Sequence, residues 1–329
     1  MRGAGLLRYT IFRRSVKVSG RTGKAAAPGK PGRRRVRDGK RGAFIFLCVL
    51  PAFLFLAVFL YFPIEETFRI SLTKSSGLGP ETYIGIDNYA KLFANEEFLA
   101  GLSHVFSWAF WSVLIQLPLA FLVAFSLTFY ANKMTGPLRA IFYLSNVLPS
   151  AITAMLGKFI FAPKYGIIAS LSNALGLKWL GAIDFLGNPN LAFWSVFLIA
   201  TWAYTGFPII YLMARIEQIP KEVREAAELD GATGWRYARS IVLPDLGYPL
   251  RILAVLSTVG SLKLFDLPNM MTTGGPGNAT VTLGITLYRH GFVNWNYGKA
   301  AAIGVVIFAL SLAFTIAQFS LGGKKGEAA

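Results

Sequence analysis

Ile219-Pro220-Lys221-Glu222-Val223-Arg224-Glu225-Ala226-Ala227-Glu228-Leu229-Asp230-Gly231, continued through residues 232–244, is a long charged stretch set between apolar runs of a 329-residue chain. Pro220 fits the first position of a helix, Glu222 and Glu225 suit its positive N-terminal end, and Gly231 suits a left-handed stop. Thr233 can cap a second short helix, which Pro244 would end before the next apolar run begins. On shape alone, two short amphipathic helices serve equally well as an interfacial hairpin that merely links two spans. Where the stretch lies, and how its residues are spaced, must decide its role.

Outward from it the chain is apolar. Hydrophobic residues make up 54%, charged ones 15%, and the mean hydropathy is +0.50, whereas soluble domains carry roughly a quarter charged residues. A span needs about 20 apolar residues to cross about 30 Å of hydrocarbon. The runs that qualify are 43–62, 103–129, 138–162, 191–213, 246–267 and 300–321. The expected fold is therefore all-α, a polytopic membrane protein with six transmembrane helices. The first run follows a basic segment, as the core of a secretory signal would. It is too long for one, and Phe62-Pro63-Ile64-Glu65-Glu66 offers no small-residue cleavage site, so it reads as a retained helix.

The net charge is +17, and residues 1–42 hold 14 Lys or Arg against a single acid, Asp38. This segment has little apolar periodicity and reads as a disordered cytoplasmic tail rather than a nucleic-acid-binding module. Residues 43–329 then form the transmembrane domain. Cytoplasmic loops retain Lys and Arg, and an N-terminus placed inside puts 24 of the 33 on that side. Both termini are then cytoplasmic, as is the loop at 214–247. The outer stretches 63–102 and 164–190 are rich in turn residues and suit interfacial helices or a surface for an external partner. Cys48 stands alone inside the first run, which leaves no disulfide framework and no thiolate metal site.

Within the cytoplasmic loop the order is Glu225-Ala226-Ala227, three residues, Gly231, nine residues, Ile241, one residue, Leu243-Pro244. It resembles the EAA signature of permease subunits of binding-protein-dependent ABC importers. The resemblance implies a type I importer permease fold in a bacterial or archaeal inner membrane. It also implies that the loop sits in a cleft of a cytoplasmic ATPase. There Ala226 and Ala227 would permit close approach, Gly231 the chain reversal, and Glu225 a carboxylate for a basic partner residue. The implied partners are a second homologous permease, an ABC ATPase dimer, an extracytoplasmic solute-binding protein and the lipid bilayer. ATP and Mg would be bound by the ATPase and no cofactor by this chain. In agreement, six Gly-Lys pairs occur but none is followed by Ser or Thr, so there is no Walker phosphate loop. His104 and His290 have no partners at metal-ligand spacing, so no metal and no enzymatic site are expected. Removing residues 2–40 is expected to leave transport largely intact; loss of uptake by an inserted, truncated chain would show that the tail does more than set topology.

Lys263-Leu264-Phe265-Asp266 followed by Met271-Thr272-Thr273-Gly274-Gly275-Pro276 is similar to carbohydrate importers of the maltose and glycerol-3-phosphate type. Ile84-Gly85-Ile86-Asp87-Asn88-Tyr89, Phe161-Ala162-Pro163-Lys164-Tyr165-Gly166 and Tyr297-Gly298-Lys299-Ala300-Ala301 look like the same group. A sugar needs hydrogen-bonding groups for its hydroxyls and flat apolar surfaces for its ring faces. By resemblance, with such groups inside spans, the substrate path would use Trp202, Tyr204, Gly206 and Phe207 of the fourth span and Ser261, Leu264 and Asn269 of the fifth. Lys263 and Asp266, three apart, are expected on one helix face as a mutually neutralising pair. A second hypothesis has Lys263 attract an acidic substrate. The rival from another class is an ion-coupled secondary transporter of a small polar solute, which would need buried carboxylates or broken helices near the midplane.

Overall fold

A computed structural model describes residues 38–77, 79–130 and 133–321. The basic tail up to residue 37 and the terminal Lys324-Lys325 lie outside the described residues. The chain divides after Leu56. In the first part Asp38–Leu56 is helical, so the helix begins inside the expected tail. In the second part a π-helical turn, Ala57–Tyr61, precedes helix Phe62–Ser71, which runs past the expected end at Phe62. Pro63, which has no N–H to give, follows directly on the π-helical turn, and Arg69 pairs with Glu66 at 2.5 Å one turn back.

Three helices are long and apolar enough to cross a membrane: Phe44–Ser71, Glu96–Phe129 and Tyr297–Ser320. Three more spans are bent pairs: Thr135–Val147 with Ser150–Phe161 at 103°, Pro189–Tyr204 with Gly206–Ile216 at 40°, and Gly234–Asp245 with Gly247–Leu262 at 72°. In the last pair the first helix belongs to the charged loop stretch. About six spans are thus accommodated, but the third and fourth are not straight. Pro149 explains the sharpest bend: it has no N–H to give and holds Leu148 in extended backbone, ψ 131°. The second membrane helix also starts earlier than its apolar run, because the Asn95 side chain caps it by accepting from the Phe98 amide at 3.0 Å.

The fold is all-helical as expected, apart from a two-residue antiparallel ladder of Thr73–Lys74 with Thr82–Tyr83. Asn88 holds that turn by donating to the carbonyls of Ser71 and Thr73, both at 2.8 Å. One expectation needs correction: Pro244 does not end the second loop helix. It follows the π-helical turn Ala238–Val242 inside the continuous helix Gly234–Asp245, and the chain turns at Leu246 instead.

The interior is divided among three buried clusters. In one, Ala120 and Ala124, a turn apart, let the helix Leu117–Phe129 close on Ile209, Leu212 and Met213. Small residues at i and i+4 serve this purpose in lipid, where burial alone gives no driving force between helices. In the second, the Trp108 ring stands edge-on to Phe193 and Phe197, each with centroids 5.3 Å apart. The third joins Phe98, Leu262, Leu283 and Ile303. Phe98→Ala should cost about 3–5 kcal/mol by opening a cavity there, measurable as an earlier loss of monodisperse protein on heating in detergent.

Candidate functional site

A cavity of about 430 Å³ opens among the bent helices. Trp108, Ser112 and Gln116 line it from the second membrane helix, and Asn146 from the end of Thr135–Val147. Tyr204, Phe207 and Pro208 flank the bend of the fourth span, while Ser257, Gly260, Ser261, Lys263, Leu264, Phe265 and Asp266 complete the wall. Tyr204, Phe207, Ser261 and Leu264, singled out on sequence, are thus brought together.

Trp202, Gly206 and Asn269 are not among the lining residues. Trp202 is exposed, and Asn269 is half-buried on the helix that follows. Gly206 is buried where a Cβ would run into the Phe142 carbonyl and lie 3.2 Å from the Ser145 hydroxyl. Ser112 and Gln116 carry the signal that sequence reading missed: they are polar residues one turn apart in an apolar run, in a π-helical turn, Ser112–Gln116. Gln116 Nε2 donates to Thr201 Oγ1 at 3.1 Å, which joins the second and fourth spans.

Lys263 and Asp266 both reach the cavity, but not as one face of a helix. Gly247–Leu262 ends at Lys263, and a new helix, Asp266–Thr272, starts after Phe265, whose φ of −138° and ψ of −60° are not helical. Both side chains are exposed, and no ion pair within 4 Å joins them among the described residues. Non-helical backbone at membrane depth requires internal partners or a cavity to line. Here the Thr282 hydroxyl donates to the Leu264 carbonyl at 2.7 Å, and Gly284 lies so close that its Cβ would sit 3.0 Å from the same oxygen. Beyond the break, Arg289 Nη1 donates to Glu97 at 2.6 Å and Nη2 to the Thr273 carbonyl. Beside it, burial and then the Lys299 ammonium lower the His290 pKa, against the Glu97 carboxylate.

The charged loop forms a second site. Its first helix is Lys221–Leu229, with Pro220 one position earlier than expected, as N-cap. It stops as foreseen: Gly231 has φ +71°, its N–H reaches the Glu228 carbonyl at 3.1 Å, and the Ala232 N–H reaches that of Ala227 at 2.8 Å. Thr233 occupies the next N-cap but its side chain makes no capping bond. Ala227 is buried with Tyr237, Ala238 and Val242 in its own chain's packing. Glu222, Glu225, Ala226 and Leu229 form the opposite, exposed stripe, and Leu229 is 90% exposed. Of the remaining motif residues, Ile241 is half-buried against the cluster, while Leu243 and Pro244 are exposed.

Residues 116–324 match the model of the family described as binding-protein-dependent transport system inner membrane component. The chain belongs to this family. Members are multi-pass inner-membrane permease subunits of ABC importers, and the chain is accordingly a transport component without catalytic machinery, with ATP handled by a partner ATPase. The trehalose/maltose permease MalF of Thermococcus litoralis is 30% identical over 290 residues, covering 88% of this chain and 95% of that protein. The sn-glycerol-3-phosphate permease UgpA of Agrobacterium fabrum is 28% identical over 285 residues, 85% and 94% of the two chains. In fold, this permease resembles a chain of a bacterial ABC transporter involved in import of the acidic polysaccharide alginate. The TM-score is 0.77 at 22% identity, over 88% of this chain and 99% of that one.

Proposed function

We propose that this permease forms half of the translocation path of an ATP-driven sugar or oligosaccharide importer. A second homologous permease supplies the other half, an extracytoplasmic binding protein delivers the solute, and an ATPase dimer docks on the exposed stripe of Lys221–Leu229. The cavity carries the substrate reading. Trp108, Tyr204, Phe207 and Phe265 offer flat apolar surfaces, and Ser112, Gln116, Asn146, Ser257 and Ser261 offer donors and acceptors at its wall. That combination suits a polyhydroxylated ring. The name of MalF, a trehalose/maltose permease, points the same way. Both termini and the loop at 214–247 are assigned to the cytoplasm.

Tyr204→Ala should lower solute uptake about tenfold, the equivalent of about 1.4 kcal/mol, without changing the amount of ATPase recovered with the permease. Uptake of a panel of oligosaccharides by a deletion strain tests the substrate class; normal uptake of every sugar by that strain would count against it. The ion-coupled scheme draws on the helix break at Lys263–Phe265 and on Asp266 at the cavity. Uptake by this chain alone, driven by a proton or sodium gradient, is the result that would favour it.

A further inference from the structure

The helices Thr135–Val147 and Gly206–Ile216 are fastened to each other at two places along their length. At the loop end, Arg139 Nη2 donates to the carboxylate of Glu217, 78 residues on and four positions before the coupling helix Lys221–Leu229. At the other end, Gly206 lets the helices close until its own Cα lies against the Phe142 carbonyl, with Ser145 and Asn146 beside it. Arg139, Phe142 and Asn146 are spaced i, i+3 and i+7, so one helix face carries the ion pair, the close approach and a residue of the cavity wall. Gly206 to Glu217 spans roughly 16 Å at 1.5 Å per residue.

There is little slack between Glu217 and the coupling helix. The amide of Glu217 bonds the Met213 carbonyl at 2.9 Å, Gln218 that of Arg215 at 3.1 Å, Ile219 that of Ile216 at 3.2 Å, and Val223 that of Pro220 at 3.1 Å. A displacement of the loop therefore has one junction to cross before Glu217, Ile219–Pro220, which has a hydrogen-bonded turn on either side. The pair itself is half-exposed, with 36% and 46% of the two side chains accessible, so it contributes little to folding. Arg139 Nε is buried without a hydrogen bond, which leaves the guanidinium a donor for a second register on the same carboxylate.

We propose that Arg139 and Glu217 are positioning residues that carry motion of the coupling loop along these two helices to Asn146 at the cavity wall. The proposal rests on the ATP-driven importer reading. It predicts that breaking the pair uncouples the cavity from the ATPase without dismantling either.

The test uses the full chain, tagged and purified with its partner subunits from its own host and placed in nanodiscs. Cys48 is replaced by Ser, and Asn146→Cys carries an environment-sensitive fluorophore. The change in emission between the nucleotide-free and the MgATP–vanadate states is measured. Arg139→Gln and Glu217→Gln should each shrink that change at least about fivefold while ATP hydrolysis stays within about twofold. The double exchange Arg139→Glu with Glu217→Arg should restore most of it. If the glutamine variants fail to assemble, Arg139→Lys keeps the charge but loses the fork and should still diminish the change. An unchanged signal in the single variants, or a double exchange no better than either, overturns the proposal while the importer reading stands. An unaltered wild-type chain that brings no ATPase with it overturns both.

Discussion

Glu225→Lys combined with Leu229→Asp is expected to reduce uptake about 30-fold or more, since loss of an interface's central contacts typically costs 2 kcal/mol or above. Both residues are exposed on the helix Lys221–Leu229, and Leu229 is the most exposed large apolar side chain among the described residues. An isolated exposed leucine needs no explanation, but this one shares a helical stripe with Glu222, Glu225 and Ala226 on a loop held rigidly by its buried face. Neither substitution touches the cluster formed by Ala227, Tyr237, Ala238 and Val242, so insertion and helix content should be unchanged. ATPase recovered per permease and solute uptake should fall together. Ala227→Leu supplies the contrast: it overfills a packed interior and should fail through lost stability, by about 1–3 kcal/mol. A double variant that still holds its ATPase and transports normally would remove the coupling role from this stripe.

Gly206→Val is the second large effect. A Cβ here already runs into the Phe142 carbonyl, with Asn146 Cβ at 3.3 Å, and valine adds two further carbons. Overpacking of this kind costs about 1–3 kcal/mol, and the two helices must separate where they meet the cavity. Transport should fall about tenfold or more, with lowered thermal stability, since each 1.4 kcal/mol corresponds to a factor of ten. Reduced uptake with unchanged stability and a raised KM would instead make Gly206 a direct substrate contact.

Hydropathy located segments that give about six spans, because twenty apolar residues in a row have few other uses. It could not show that the third and fourth segments are bent. That depends on Pro149 and Pro208, which are single residues inside otherwise apolar runs. The spacing rule for Lys263 and Asp266 failed for a related reason: it presumes a continuous helix, and the helix stops at Leu262. The Leu264 carbonyl freed there accepts from the Thr282 hydroxyl, eighteen positions away, a partner no local pattern predicts. In the loop, Gly231 was legible because a left-handed stop demands a particular residue. The different fates of Ala226 and Ala227 were not, because adjacent alanines look alike until the second helix folds over one of them. For the cavity, Tyr204, Phe207, Ser261 and Leu264 were found and Trp108, Ser112, Gln116 and Asn146 were not, since convergence of separate helices is invisible along one.

The coupling role can be tested most directly by cross-linking. Leu229→Cys in a Cys48→Ser background, treated in native membranes with a short bifunctional thiol reagent, is expected to yield an adduct with a polypeptide that carries a Walker phosphate loop. Labelling of the same cysteine by a membrane-impermeant maleimide added outside intact cells would contradict it.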